Sequence, residues 1–220
     1  MENTKVSNQK ISLHRALAMR KMIKKRLLDA IDNTKFISLA TGTSKKTRDG
    51  EIIEEFEANA KSTYQRIVAL VSNYGKLSRR IALANVGDHT EIISGEPTVS
   101  DVMVQQQRDK FSERILEVFK NQYSSAKREV DHFNVTLSER LDKFLASMGG
   151  GEKNKLSTEE IEKFSDTFRR QNELCLVDPL KLISLIPEAE KKLEESKAEI
   201  DALLDELNAR IIIEIDLNEV

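Results

Sequence analysis

The chain has 220 residues, of which 39% are hydrophobic and 33% charged, with eight Gly, three Pro, one Cys and no Trp. So few turn-forming residues exclude a β-sandwich or a doubly wound α/β enzyme and point to long helices. Lys and Arg number 35 against 37 Asp and Glu, a formal net charge of −2, which argues against a general nucleic-acid coating protein.

The charge is unevenly placed. Residues 1–50 carry twelve Lys/Arg against four Asp/Glu, and residues 188–220 carry four against eleven. The two ends are expected to pair with each other or with neighbouring subunits. The single Cys175 excludes an internal disulfide, and its place between Leu174 and Leu176 suits a small packed apolar residue. No apolar run approaches 18 residues, and the first 22 are polar and then basic, unlike a signal peptide. A cytoplasmic protein with no membrane partner is the expectation.

Residues 1–11 read as a disordered polar tail. Ser12 is a suitable N-cap for a first helix reaching about Ile31, with Leu13, Ala16, Leu17, Ile23, Leu27 and Ile31 on one face. Residues 36–40 read as a short strand, and 41–50 as a polar, flexible loop. A second helix is expected over 52–84, with Phe56, Ala60, Tyr64, Ile67, Val71 and Tyr74 opening its seam. Gly75 lies inside it at a cost of about 1 kcal/mol relative to Ala, so close packing is expected there.

Residues 90–94 read as a second short strand. Thr98 with Asp101 resembles a capping box opening a third helix that reaches Met148. About fifty residues at 1.5 Å each span roughly 75 Å, so this helix must lie along another of its own chain or a neighbour's. Gly149-Gly-Gly151 ends it. Ser157 with Glu160 caps a short helix carrying Ile161, Phe164 and Phe168 on one face. Asp178-Pro179 restarts a helix as N-cap and first residue, and Pro187 either kinks that helix or starts another. The last helix reaches about Asn208. Residues 210–217 are β-branched and read as a terminal strand pairing with 36–40 or 90–94.

The expected fold is mainly α: long antiparallel helical hairpins in a coiled-coil bundle, with a small β element near 36–40, 90–94 and 210–217. In chain order it comprises the tail 1–11, a long-helix bundle 12–148, a Gly-linked helical insertion 149–176, and a helix and strand at 177–220 completing the bundle.

No catalytic constellation is visible. His14, His89 and His132 have no HExxH or CxxC context, which excludes the usual metal sites, and no P-loop, GxGxxG or GxSxG is present. No enzyme activity, metal or cofactor is expected. The cluster Lys21, Lys24, Lys25 and Arg26 has no interleaved aromatics and reads as a solvated face.

Polar residues that interrupt the apolar stripes carry more. Ala16, Arg20, Ile23 and Leu27 step by four, three and four, and so do Val104, Arg108, Phe111 and Ile115. Asn85 takes the next seam place after Ile81. An Arg in an apolar stripe must find an anion or reach out of it. One outcome is an internal salt bridge, with Asp109, Glu113 or an acid of the last helix. The other is that Arg20, Arg108 and Arg15 converge on a small anionic ligand, for which the planar guanidinium fork is suited.

Three blocks resemble a septicolysin-like family of bacterial and phage coiled-coil proteins. They are Arg15-Ala-Leu-Ala-Met-Arg20 with the basic run to Leu27; Arg80 to Asn85 with Gly95 to Val102 and Gln107-Arg108-Asp109; and Val177 to Leu182 with Glu199 to Asn208. The resemblance implies oligomeric antiparallel hairpins with a small β element, and an insertion at 149–176. It also implies that Arg20, Asn85, Arg108 and Asp109 are kept as polar residues. The resulting expectation is a homo-oligomer that binds or sequesters a small anionic, nucleotide-like ligand at Arg15, Arg20, Asn85, Arg108 and Asp109. A phage-encoded sponge for an immune-signalling nucleotide fits that description. The alternative is a structural scaffold of a phage particle or other assembly without a small ligand.

Overall fold

The computed structural model describes residues 10–86, 98–149 and 157–210. Their order is α1 (Leu13–Asp32), β1 (Ser38–Thr41), α2 (Ile53–Val86), α3 (Val99–Gly149), α4 (Thr158–Asn172), β2 (Leu174–Val177) and α5 (Leu182–Arg210). The chain is mainly α with a small antiparallel sheet, as its composition requires. Tails 1–9 and 211–220 and the expected strand at 90–94 lie outside the described residues.

The helix starts follow from local side-chain chemistry. Ser12 Oγ accepts from the Arg15 amide at 3.3 Å. Thr98 and Asp101 close reciprocally, with the Thr98 amide donating to Asp101 at 3.1 Å and the Asp101 amide to Thr98 Oγ1 at 3.3 Å. Ser157 and Glu160 form a complete capping box. The Glu160 carboxyl is held below the ordinary glutamate range by hydrogen bonds from the Ser157 backbone and then its side chain. The last helix starts later than expected. Asp178 does cap, accepting from the Leu182 amide at 2.7 Å, but a turn intervenes before Leu182. In that turn Lys181 takes the left-handed conformation, with φ 54°. The helix then runs through Pro187 without ending.

Compactness does not follow the chain-order segments of the sequence reading. One unit combines residues 10–32, 66–86, 98–115 and 189–210; the other combines 33–65, 116–149 and 157–188. Each therefore draws on α2 and α3.

The second unit holds the sheet. β1 pairs antiparallel with β2, in the register Ser38↔Val177 to Thr41↔Leu174. A pairing of 36–40 with 210–217 was expected, of which 211–217 lies outside the described residues, and 152–176 was expected to contain only a short helix. The strand there is the apolar run Leu174-Cys-Leu-Val177 just after α4. Leu174 and Val177 are buried, whereas Cys175 points out and is exposed, contrary to the packed position expected from its neighbours. Beside the strands, Phe36 and Phe119 are fully buried and meet edge-to-face at 4.9 Å between centroids. The segment 41–50 is held by its own bonds, including Arg48 N to Leu39 O at 2.7 Å and Thr47 N to Glu51 O at 2.8 Å. Gly42 is obligatory there: it has φ +51° and a Cβ would sit 2.0 Å from the Gln171 carbonyl oxygen.

In the first unit α2 and α3 run antiparallel. Tyr74 meets Phe111 edge-to-face at 5.0 Å, and Arg79 Nε meets Asp101 at 2.8 Å. α1 runs beside them, with Asp32 accepting from Arg114 at 3.0 Å. α5 lies antiparallel to α3, fixed by Ser196 to Asp109 and Lys197 to Glu113.

Candidate functional site

The stripe positions of α2 place Tyr74, Ser78, Ile81 and Asn85 along one line, by steps of four, three and four. Facing them are Ser100, Met103 and Gln107 on α3 and Arg20 on α1. Together they line an open cleft of about 360 Å³ in the first unit. Its floor is apolar, from Tyr74, Ile81 and Val104. Its rim carries amides from Asn85 and Gln107, and among the described residues Arg20 is its one charged group. Two of the expected residues, Arg20 and Asn85, therefore come together.

Ser78 was not among the expected site residues. Its residue is only 5% exposed, and its Oγ has no hydrogen-bond partner. A helical serine usually satisfies its hydroxyl on the carbonyl one turn back. Leaving it unmet costs about 1–3 kcal/mol. The 74–78–81–85 spacing is the signal that finds it.

Arg108 lines a neighbouring cleft of about 520 Å³, with Gly75, Lys76, Arg79, Asp101 and Gln105. Val104 borders both clefts. The end of the Arg108 stem lies against Gly75, where a Cβ would come within 2.9 Å of Arg108 Cδ. The close packing expected at Gly75 is thus made by the very Arg that interrupts the facing stripe. Arg108 Nη1 donates to Gln105 Oε1 at 2.9 Å, and Nε is buried without a partner. No salt bridge of Arg108 occurs among the described residues. Asp109 and Glu113, considered as its partners, are engaged elsewhere.

Asp109 is one of them. It is 7% exposed and turned toward α5, where it accepts from Gln105 Nε2 at 2.9 Å and Ser196 Oγ at 2.8 Å. It lines neither the Arg20 nor the Arg108 cleft. Its physical role is to satisfy the α3–α5 contact, which corrects its place in the expected ligand set. Glu113 pairs with Lys197 at 2.6 Å. That hydrogen bond, then the Glu113 charge and more weakly that of Asp109, raises the Lys197 ammonium above the ordinary lysine range.

Arg15 is also not brought to the clefts. It is exposed near the start of α1 and lines neither of them. About 1.4 turns separate it from Arg20, which points it to another side of the helix. Lys21, Lys24, Lys25 and Arg26 are exposed, in keeping with a solvated face.

Among the described residues no group of three His, Cys, Asp or Glu could hold a metal ion, and no helix is long and apolar enough to cross a membrane. No protein-family model matches the chain, and neither a curated protein nor a solved structure matches it.

Proposed function

We propose that the protein is a non-enzymatic, homo-oligomeric helical binding protein that sequesters a small anionic, nucleotide-like ligand on its first unit. The observation carrying this reading is the buried, unpartnered Ser78 hydroxyl in the same cleft as Arg20 and Asn85. An apolar floor, two amides and one cation suit a ligand with a flat or apolar body, hydrogen-bonding edges and a negative group. The resemblance to phage proteins extends the reading to a phage-encoded sponge for an immune-signalling nucleotide. The reading invokes no cofactor, nucleic acid or membrane.

Titration calorimetry with a panel of nucleotides tests it. Binding is expected, weakened at least tenfold in Arg20→Ala and clearly reduced in Asn85→Ala. No binding across the panel, or affinities unchanged by both substitutions, contradicts it.

A structural scaffold is the second reading. It is favoured by a row of partly exposed aromatics in the second unit, where Phe144 stacks on Phe164 at 5.3 Å and Phe164 on Phe168 at 6.2 Å. α4 buries none of its residues completely. This reading expects sedimentation as a large ordered assembly that Phe164→Ser disperses, and no small ligand.

A further inference from the structure

We propose that the cleft at Gly75 is a phosphoryl-binding subsite, with Arg108 as its bidentate donor and Lys76 as its second charge. It deepens the proposed function by assigning the ligand's anionic end to a place of its own. It rests on that function only for the identity of the rest of the ligand.

Two unfavourable features of the sequence coincide here. A glycine stands in the interior of a 34-residue helix, and an arginine stands in the apolar stripe that faces it. Each alone destabilises a helical hairpin. Together they let the Arg108 side chain pass close to the α2 backbone, because a Cβ at position 75 would sit 2.9 Å from Arg108 Cδ and 3.4 Å from Nε. The seat is not filled for the sake of an internal salt bridge. Asp101 is taken by Arg79 and by the amide and hydroxyl of Thr98. Asp109 faces Ser196, and Glu113 faces Lys197. What Arg108 holds is one neutral amide oxygen, with Nε unmet.

The cleft beside it is cationic. Lys76, Arg79 and Arg108 line it against the single carboxylate of Asp101. A planar fork with two parallel N–H groups matches a phosphoryl group, and an ammonium adds a point charge. Val104 joins this cleft to the one holding Arg20, Ser78 and Asn85. The ligand class is therefore a phosphate ester whose phosphoryl group sits at Arg108 and whose polar body reaches the Ser78 side.

Gly75→Ala is the decisive variant. It keeps every charge, favours the helix and displaces Arg108 from its seat. Arg108→Lys keeps the charge but removes the fork. Calorimetry at low salt would compare wild type, both variants and Arg20→Ala, using inorganic phosphate and pyrophosphate, nucleoside monophosphates and the corresponding nucleosides. Circular dichroism would report folding. The expected result is that pyrophosphate and monophosphate affinities fall at least tenfold in Gly75→Ala and Arg108→Lys, both fully helical, while nucleoside binding is unmoved. Pyrophosphate and monophosphate binding unchanged in both variants overturns the subsite. So do monophosphates that bind no tighter than their nucleosides. If pyrophosphate binds in a Gly75-dependent way, nucleosides do not bind and monophosphates bind no tighter than inorganic phosphate, the nucleotide reading fails and the subsite stands.

Discussion

The two units use the same polar side chains in opposite ways. In the second unit, amides inside the helical stripe close on backbone. Asn134 donates to Leu174 O and accepts from Leu174 N, both at 2.9 Å. Gln122 accepts from Phe36 N and donates to Thr34 O, both at 2.8 Å. Its charges are paired too, Lys35 with Asp49 and Arg48 with Glu129. Among its described residues one buried side-chain atom lacks a partner, Asp178 Oδ1, and it belongs to a carboxylate whose other oxygen caps α5. In the first unit, Asn85 and Gln107 line a cleft, and Ser78 Oγ and Arg108 Nε are buried without partners. A polar residue in a stripe is thus structural when backbone ends reach it, and available when they do not.

That contrast can be broken at several places. The largest effect is expected for Phe119→Ala in the second unit, about 4 kcal/mol in urea unfolding, because an almost fully buried ring in contact with Phe36 is lost. Gly42→Ala follows at about 3 kcal/mol, from an unfavourable left-handed alanine and a clash with the Gln171 carbonyl. A loss under about 1 kcal/mol would show that this turn readjusts. Asn134→Ala leaves both polar groups of the Leu174 backbone unmet and should cost about 2 kcal/mol. Asn85→Ala in the first unit should stay within about 0.5 kcal/mol, as for a surface position. Equal costs for the two asparagines would erase the distinction between the units.

The smallest effect is a pH edge. Because the folded Glu160 carboxyl is held below its ordinary value of about 4.5, its capping contribution is complete above that value. It is lost as pH falls through the lowered folded value. The protection of α4 amides relative to their intrinsic exchange rates should therefore fall in acid, and Glu160→Gln should flatten that edge while leaving the cap in place.

Much of the fold was legible because helix caps and stripes are local. Ser12, Thr98 with Asp101, and Ser157 with Glu160 mark their helices by sequence alone. The partner of β1 was not legible, since four apolar residues after a helix carry no period of their own, and pairing across about 135 positions leaves no local trace. Asp178-Pro179 misled by one turn because Lys181 adopts a conformation that propensity disfavours. At the candidate site, the stripe rule found Arg20, Asn85, Arg108 and the tightness at Gly75. Asp109 entered the expected ligand set through the resemblance, not the stripe, and its neighbours are Gln105 and Ser196.

Native mass spectrometry of protein gently isolated from its native source tests the central claim most directly. The account predicts a homo-oligomer carrying a small anionic mass on each chain, absent from Arg20→Ala prepared in the same way. A wild-type oligomer of bare chains, indistinguishable from Arg20→Ala, would contradict it.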